Sequence, residues 1–147
     1  MPVAPTSVVM NADATSLLAR VTELDLPAGH YAIFGSGPLI VRGWVEPSND
    51  LDILCRGPAW EKALSVGDLV HLDDWDVDVV EVDSGVITLG RRWAIGSLDV
   101  DELIDSSEII EGLPFVDLRY VAVYKKIADR TKDRRHLAAM ARNGWIE

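Results

Sequence analysis

Two aspartates separated by one residue are the clearest candidates for chemistry in this sequence. Asp50-Leu51-Asp52 opens residues 50–55, where polar and apolar residues alternate with the period of a half-buried strand. Residues two apart on a strand point to the same face, so we expect the two carboxylates side by side. Like charges this close are costly unless a proton or a cation neutralises them, and Mg²⁺ prefers oxygen ligands. The pair is therefore a candidate magnesium site; the alternative is an exposed strand face above a buried Leu51 and Ile53.

A glycine turn precedes this pair. Gly35-Ser36-Gly37 follows the apolar residues 30–34 and is followed by Pro38, which suits the first turn of a helix. Backbone N–H groups in such a turn, together with a helix N-terminus, can bind phosphate. The alternative is an ordinary turn after a strand.

The third feature is a basic segment whose charged residues are Lys125, Lys126, Arg130, Lys132, Arg134 and Arg135. Such side chains hold phosphates through charge-assisted hydrogen bonds, although a solvated amphipathic helix is the alternative. The thirteen residues between Ser36 and Asp50 are enough for one helix and a turn. We therefore expect phosphate and metal sites at one sheet edge, as metal-assisted displacement at phosphorus requires.

The elements that must position these residues follow from hydrophobic periodicity and from glycine and proline. Strands are predicted at 30–34, 50–55, 76–82 and 86–89, the last two joined by a hairpin turn at 83–85. Helices are predicted from Asp13 to Leu24, after Pro38, and at 58–66, 99–104, 118–127 and 133–141. This order predicts one α+β or mixed α/β domain over residues 1–147, with its core at about 13–142 and helices flanking a mixed sheet.

Composition narrows the classes of function. The 147 residues include 48% hydrophobic residues and have a net charge of −10, with −15 over residues 1–118 and +5 over residues 119–147. So acidic a chain is a poor candidate for extended nucleic-acid binding. The single Cys55 excludes an internal disulfide and a cysteine-cluster metal site. Residues 1–10 have no signal-peptide features and no apolar run is long enough to span a membrane, so we expect a cytoplasmic protein.

Several of these motifs, taken in order, resemble a known family. Residues 34–39 (FGSGPL), Arg42-Gly43 and residues 50–53 (DLDI) are similar to the signature of the DNA polymerase β-like nucleotidyltransferase superfamily, in its small bacterial branch. Residues 110–118 and 125–133 resemble the closing segment of small nucleotidyltransferases. The resemblance covers roughly residues 30–140 and implies a nucleotidyltransferase-like fold.

The resemblance also implies roles for individual residues. Gly35 and Ser36 would bind the phosphates of a nucleoside triphosphate, and Asp50 and Asp52 would hold two Mg²⁺ ions. In that family the metals activate an acceptor hydroxyl and stabilise the pyrophosphate leaving group. The remaining matches are the nucleotide-binding candidates Lys125 and Lys132, together with Asp133, whose role is in part the packing of the last helices.

One position departs from the family pattern. Catalytic members carry a third carboxylate on a later strand, and Thr88 stands where that acid is expected. Threonine supplies neither a metal-bound charge nor a general base at neutral pH. Of the acids on the preceding predicted strand, Asp78 is our candidate for a substitute; Asp76 would share its face and Glu81 would lie opposite. An edge strand kept soluble by charge is the alternative.

Three functions remain open. The first is a nucleotidyltransferase that moves a nucleoside monophosphate from a triphosphate to a hydroxyl. The second is a catalytically weak or inactive binding module, for example the antitoxin-like member of a toxin–antitoxin pair, which would have a protein partner. The third, ranked last, is a modifier of a small polycationic molecule. No spacing selects His30, His71 or His136 for chemistry, and the oligomeric state is left open.

Overall fold

The structure, a computed structural model, describes residues 12–48, 50–92 and 98–145. The helices of these segments are α1 (Ala12–Glu23), α2 (Gly37–Ile40), α3 (Pro58–Val66), α4 (Val100–Asp105), α5 (Leu118–Ala128) and α6 (Thr131–Arg142). The strands are β1 (Tyr31–Phe34), β2 (Leu51–Cys55), β3 (Asp68–Leu72), β4 (Val77–Val82), β5 (Ile87–Gly90), β6 (Glu108–Ile110) and β7 (Leu113–Phe115). Residues 1–11, on which the signal-peptide expectation rests, lie outside the described residues.

All seven strands of the described segments form one mixed sheet in the order β3-β4-β5-β2-β1-β7-β6. The pairs β1–β2, β3–β4, β4–β5 and β6–β7 are antiparallel. The pairs β2–β5 and β1–β7 are parallel. The predicted α+β class, with helices flanking a mixed sheet, is confirmed.

Helices cover both faces of the sheet. Successive strand residues point to opposite faces, so the apolar residues of each face join a separate core. Leu51 and Ile53 of β2 face the core that contains the apolar residues of α1 and α3. Leu54 and Phe34 face the opposite core, which receives Leu103 of α4 and residues of α5. Asp52 alternates with Leu51 and Ile53, so its carboxyl lies on the α4–α5 side of the sheet.

Helix α6 reaches the site through a third, smaller apolar cluster. Leu39 of α2, Ala122 of α5 and Met140 of α6 pack together, with Trp44 and Leu137 against them. This contact holds α6 beside the turn that follows β1. The short α2 and the long α6 therefore form two walls of the same region.

Three strands were not expected from the sequence. β3 is an edge strand with no fully buried residue, so its sequence shows no strong alternation of polar and apolar residues. β6 and β7 have three residues each and are too short to show such a pattern. Helix α6 begins at Thr131, two residues before its expected start. In the described segments, no helix combines the length and the apolar character needed to cross a membrane.

Candidate functional site

The glycine turn and the two aspartates meet at one edge of the sheet, as expected. Antiparallel pairing of β1 with β2 brings the end of β1 to the start of β2, and Phe34 pairs directly with Asp52. Gly35 and Ser36 follow Phe34, and Asp50 immediately precedes β2. The site is therefore formed where one strand ends and its neighbour begins.

Glycine is needed at both positions of the turn. Gly35 has a φ of +63°, and a Cβ atom there would lie 3.1 Å from the Asp52 Oδ2 atom. A Cβ atom on Gly37 would lie only 2.3 Å from the Ile33 Cγ2 atom. The absence of these side chains lets the turn approach the Asp52 carboxyl and the strand closely.

The two carboxylates differ in environment. Asp50 is exposed, whereas Asp52 is half-buried between β1 and β5. Burial first, and the negative charge of Asp50 second, raise the pKa of Asp52 to about 7; Lys132, Arg130 and Lys125 act in the opposite direction. A bound cation would favour the ionised form of Asp52, because it offsets both causes of the shift.

A basic and polar wall faces this pair from α6. The Lys132 Nζ atom lies 3.7 Å from the Asp50 Oδ2 atom. One turn along the same helix, the His136 Nδ1 atom lies 3.4 Å from the hydroxyl of the buried Ser36. Burial, with the charges of Lys125 and Lys132, lowers the pKa of His136 to about 4, so its ring is neutral at pH 7.

A pocket of about 470 Å³ lies between α6 and the segment that follows α2, and we call it the α6 pocket. Lys132, Arg135, His136 and Arg142 line it from α6. Ser36, Trp44 and Glu46 line it from the opposite side. The pocket thus begins at the lysine beside Asp50 and continues along the helix, which suits an anionic ligand.

A slightly larger surface pocket, of about 530 Å³, lies between α1, α3 and β4. Its arginine, Arg20, is already paired with Glu23 and Asp83. It lies apart from the aspartate pair, so we place the candidate site at the smaller α6 pocket.

Behind the pocket, a buried charge cluster joins α5 to α6. The side chains of Lys125 and Asp133 are buried, with the Lys125 Nζ atom 3.4 Å from the Asp133 Oδ1 atom. Arg130 donates to both carboxylate oxygens of Asp133, at 2.7 and 3.2 Å, and to the Tyr124 hydroxyl at 3.1 Å. Burial disfavours an ionised Asp133, but the Arg130 hydrogen bonds and the nearby cations outweigh it and lower its pKa. Lys125 and Asp133 therefore hold the helices together.

The expected third acid is missing at the position next to Asp52. Asp52 pairs with Thr88 of β5, which in turn pairs with Glu81 of β4. Directly paired residues point to the same face, so Asp52, Thr88 and Glu81 form one row across three strands. The threonine thus occupies the place nearest to Asp52 on its neighbouring strand.

Asp78, our sequence candidate for the third acid, is not brought to this pair. It is three residues from Glu81 on β4 and therefore points to the opposite face of the sheet from Asp52. Its carboxylate lies 2.9 Å from the His71 Nδ1 atom, and this hydrogen bond is the main reason that the pKa of His71 is raised. Asp78 belongs to a surface cluster on the outer strands.

Sequence reasoning missed several residues that line the site. His136 and Arg142 lie on the pocket face of α6, and Trp44 lies across from them. The helical spacing of Lys132, Arg135 and His136 was a usable signal, because residues three and four apart share a helix face. Nothing in the sequence indicated that Ser36 and His136, one hundred residues apart, would be neighbours.

The aspartate pair offers carboxylate oxygens, which are ligands that Mg²⁺ prefers. Across residues 12–48, 50–92 and 98–145, His, Cys, Asp and Glu side chains nowhere form a group of three or more able to hold a metal ion. Asp50 and Asp52 supply two carboxylates, and Mg²⁺ is usually bound by one or two carboxylates together with waters and substrate phosphates. The residues present therefore fit a magnesium ion that arrives with a phosphate ligand.

Comparison with known proteins identifies no family for this chain. No protein-family model, no curated protein and no solved structure gives a significant match.

Proposed function

We propose that this protein is a metal-dependent nucleotidyltransferase of the DNA polymerase β-like superfamily. It would transfer a nucleoside monophosphate from a nucleoside triphosphate to a hydroxyl acceptor and release pyrophosphate. The observation that carries the proposal is the close approach of the glycine turn to Asp52: a Cβ atom on Gly35 would lie 3.1 Å from the Asp52 Oδ2 atom, and Phe34, which precedes the turn, pairs with Asp52. A phosphate-binding turn and a carboxylate pair at one edge of the sheet match the layout that phosphoryl chemistry needs.

In this proposal Asp50 and Asp52 hold the magnesium, which when bound would neutralise the charge that develops on the phosphate oxygens. Ser36 donates its hydroxyl to a phosphate oxygen, and Lys132 balances phosphate charge next to Asp50. Lys125 holds α5 and α6 in place through Asp133 and adds positive charge near Asp52.

Calorimetric titration with Mg²⁺ and each nucleoside triphosphate tests the proposal, alongside transfer of label from an α-labelled triphosphate. We expect magnesium-dependent binding and transfer in the natural protein, and loss of both in Asp50→Ala/Asp52→Ala. Asp73→Ala/Asp74→Ala is the matched control, because it removes two aspartates from the turn before β4, where both residues are exposed. Equal behaviour of the two double variants would contradict the proposal.

Asp78→Asn is a separate variant for the sequence candidate. Because Asp78 points away from Asp52, we expect this variant to keep its transfer activity. Loss of activity in Asp78→Asn, with binding retained, would support a catalytic role for Asp78.

A second candidate function is favoured by Thr88. A threonine paired with Asp52 leaves two acids where catalytic members of the family have three. In this alternative the chain keeps nucleotide binding but has little activity, and acts as a binding module such as the antitoxin-like member of a toxin–antitoxin pair. Triphosphate binding without label transfer, together with co-purification of a protein encoded by the neighbouring gene, would support it; robust transfer by the isolated chain would exclude it.

A further inference from the structure

The sheet ends at β3, and this edge lacks several of the features that protect an edge strand. β3 pairs with β4 along all five of its residues without a bulge, and none of the five is proline or lysine. Each of them is exposed or half-buried. The opposite edge strand, β6, has only three residues. The outer side of β3 therefore presents backbone N–H and C=O groups that can pair with one more strand.

Large apolar side chains are also exposed at this edge. Six such side chains are exposed among the described residues, and three of the six belong to β3 or to the residues on either side of it. They are Leu69 on β3, Trp75 in the turn that follows it, and Leu64 in the last turn of α3, which precedes it. Apolar side chains left in water beside a free strand edge favour contact with another chain.

The two faces of β3 would offer different surroundings to an added strand. Val70 and Leu72 point to the side of the sheet that α4 and α5 cover, and they pack against the core on that side. Leu69 and His71 point to the other side, where the His71 Nδ1 atom lies 2.9 Å from the Asp78 carboxylate. Because alternate residues of a strand share a face, an added strand would place every second side chain beside the apolar core and the others beside the acidic face.

The segment that contains β3 and β4 is strongly acidic. No lysine or arginine occurs between Lys62 and Arg91, whereas this stretch contains seven acids, namely Asp68, Asp73, Asp74, Asp76, Asp78, Glu81 and Asp83. Antiparallel pairing of two β3 strands would bring Asp68 of one copy toward Asp73 and Asp74 of the other, and these like charges repel. Charge complementarity therefore favours a basic segment of another protein over a second copy of this chain.

We propose that β3 is a docking site for an extended segment of a partner protein, in which basic and apolar residues alternate and which joins the sheet as an eighth strand. Backbone hydrogen bonds to β3 supply affinity, and the apolar side chains extend the core at Val70 and Leu72. The basic side chains face Asp76 and Asp78, and the aliphatic part of a lysine covers Leu69. This inference goes beyond the proposed function and does not depend on it, because β4 and β5 separate β3 from the strand that carries Asp52.

A short fluorescein-labelled peptide of alternating lysine and valine, titrated by fluorescence anisotropy at low salt, tests the docking site. We expect the natural protein to bind it about tenfold more tightly than a peptide of the same composition with lysines and valines in two blocks, since only alternation matches the two faces of β3. A third peptide has the alternating sequence with every backbone nitrogen methylated, so it keeps the side chains and the charge but has no backbone N–H. We expect this peptide to bind about tenfold more weakly than the unmethylated one, because it cannot donate hydrogen bonds to β3.

Leu69→Lys and Ile109→Lys are matched variants, because each replaces an exposed apolar residue of an edge strand. Leu69 on β3 is 60% exposed and Ile109 on β6 is 65% exposed. Leu69→Lys removes an apolar contact and repels a basic peptide, so its affinity is expected to fall about tenfold. Ile109→Lys is expected to bind nearly as the natural protein does. Both positions are exposed, so thermal melting curves are expected to match the natural protein.

Asp76→Asn/Asp78→Asn tests the charge at the edge, with Glu108→Gln/Glu111→Gln as its control. Each pair has one acid in a turn at positive φ, 49° for Asp76 and 52° for Glu111. The other acid of each pair lies on a strand and contacts a histidine or an arginine. We expect the affinity for the alternating peptide to fall about fivefold in the first variant and to be nearly unchanged in the control.

The proposal is overturned if the natural protein does not bind the alternating peptide, or if the block or methylated peptide binds equally well. Equal effects of Leu69→Lys and Ile109→Lys on peptide affinity would also overturn it, because the peptide would then not be located at β3. Sedimentation that shows a dimer of the natural protein, dissociated by Leu69→Lys and not by Ile109→Lys, would mean that a second copy covers β3 and would overturn it as well.

Discussion

Asp52 lies against Gly35 and beside Asp50, and its carboxyl is held where ionisation is unfavourable. The folded-state pKa of about 7 is well above the ordinary value of 3.8. The contribution of Asp52 to folding stability is therefore most favourable below about pH 3.8, where its carboxyl is protonated in both the folded and the unfolded chain. This contribution is lost as the pH rises through about 7, where the folded protein must ionise the carboxyl. In the metal-free protein, the ionised form of Asp52, which would bind a cation, is also the form that lowers folding stability.

Asp52→Asn is accordingly expected to stabilise the metal-free protein, because asparagine keeps the shape without the charge. The gain should be small at pH 5 and about 1–2 kcal/mol at pH 8, or roughly 2–8 °C in melting temperature. Thermal unfolding in EDTA at both pH values measures it. Asp73→Asn, in an exposed turn, is the control; the same shift at pH 5 and pH 8 in Asp52→Asn would contradict the pKa argument.

Thr88 offers a gain-of-function test that changes a single residue. Because Thr88 pairs with Asp52 on the same face, Thr88→Asp places a third carboxylate beside the pair. We expect Mg²⁺ affinity to rise about tenfold, equivalent to ~1.4 kcal/mol, measured by titration calorimetry. Thr88→Asn is the neutral control, and equal affinities of the two variants would show that position 88 does not reach the metal.

At the scale of elements, the junction of α5 and α6 determines where the basic residues of the site lie. Asp133 accepts from the Arg130 backbone N–H at 3.1 Å, as well as from the Arg130 and Lys125 side chains. The contact therefore both starts α6 and ties it to α5. The family-like Lys-Asp pair includes Lys132, which faces Asp50, and Asp133, which faces the interior.

Asp133→Asn is expected to destabilise the protein by about 3 kcal/mol, because it leaves the buried Lys125 without a counter-charge. Chemical denaturation at pH 7 measures the loss. Asp129→Asn, which breaks only the exposed pair with Arg134, should leave the unfolding midpoint nearly unchanged. Equal midpoints for the two variants would mean that the Lys125–Asp133 pair does not hold the junction.

For the whole molecule, the net charge of −10 combines an acidic body with a basic C-terminal part. Much of the acidic charge is on the surface, and some of it is paired: Arg56 contacts Asp101 and Asp105, and Arg42 contacts Glu108. The unpaired remainder repels itself, whereas the basic side chains of α6 face a pocket. The basic C-terminal part of the sequence thus includes α6, whose basic side chains line the α6 pocket.

Screening this repulsion is expected to stabilise the fold. The melting temperature should rise by a few degrees between about 20 mM and 500 mM NaCl, since the Debye length falls below the spacing of surface charges. At equal ionic strength, MgCl₂ should stabilise more than NaCl, and Asp50→Asn/Asp52→Asn should remove the difference. An equal effect of both salts on the natural protein would count against a magnesium site at this pair.

The sequence alone was sufficient for the features set by local patterns. The alternation in residues 50–55 predicted β2, although the strand begins at Leu51, one residue after Asp50. The glycine turn was located because glycine and proline are strong local signals. The strands β3, β6 and β7 escaped prediction, because an exposed edge strand and three-residue strands carry little pattern of their own.

Only the tertiary structure determined which distant segments contact each other. The register of β2, β5 and β4 aligned Thr88 and Glu81 with Asp52 and turned Asp78 to the other face. The packing of α6 on α2 brought His136 to Ser36 and formed a basic pocket. Register and helix docking depend on how whole apolar faces are buried, so the sequence determined which residues can do chemistry and the fold determined which of them meet.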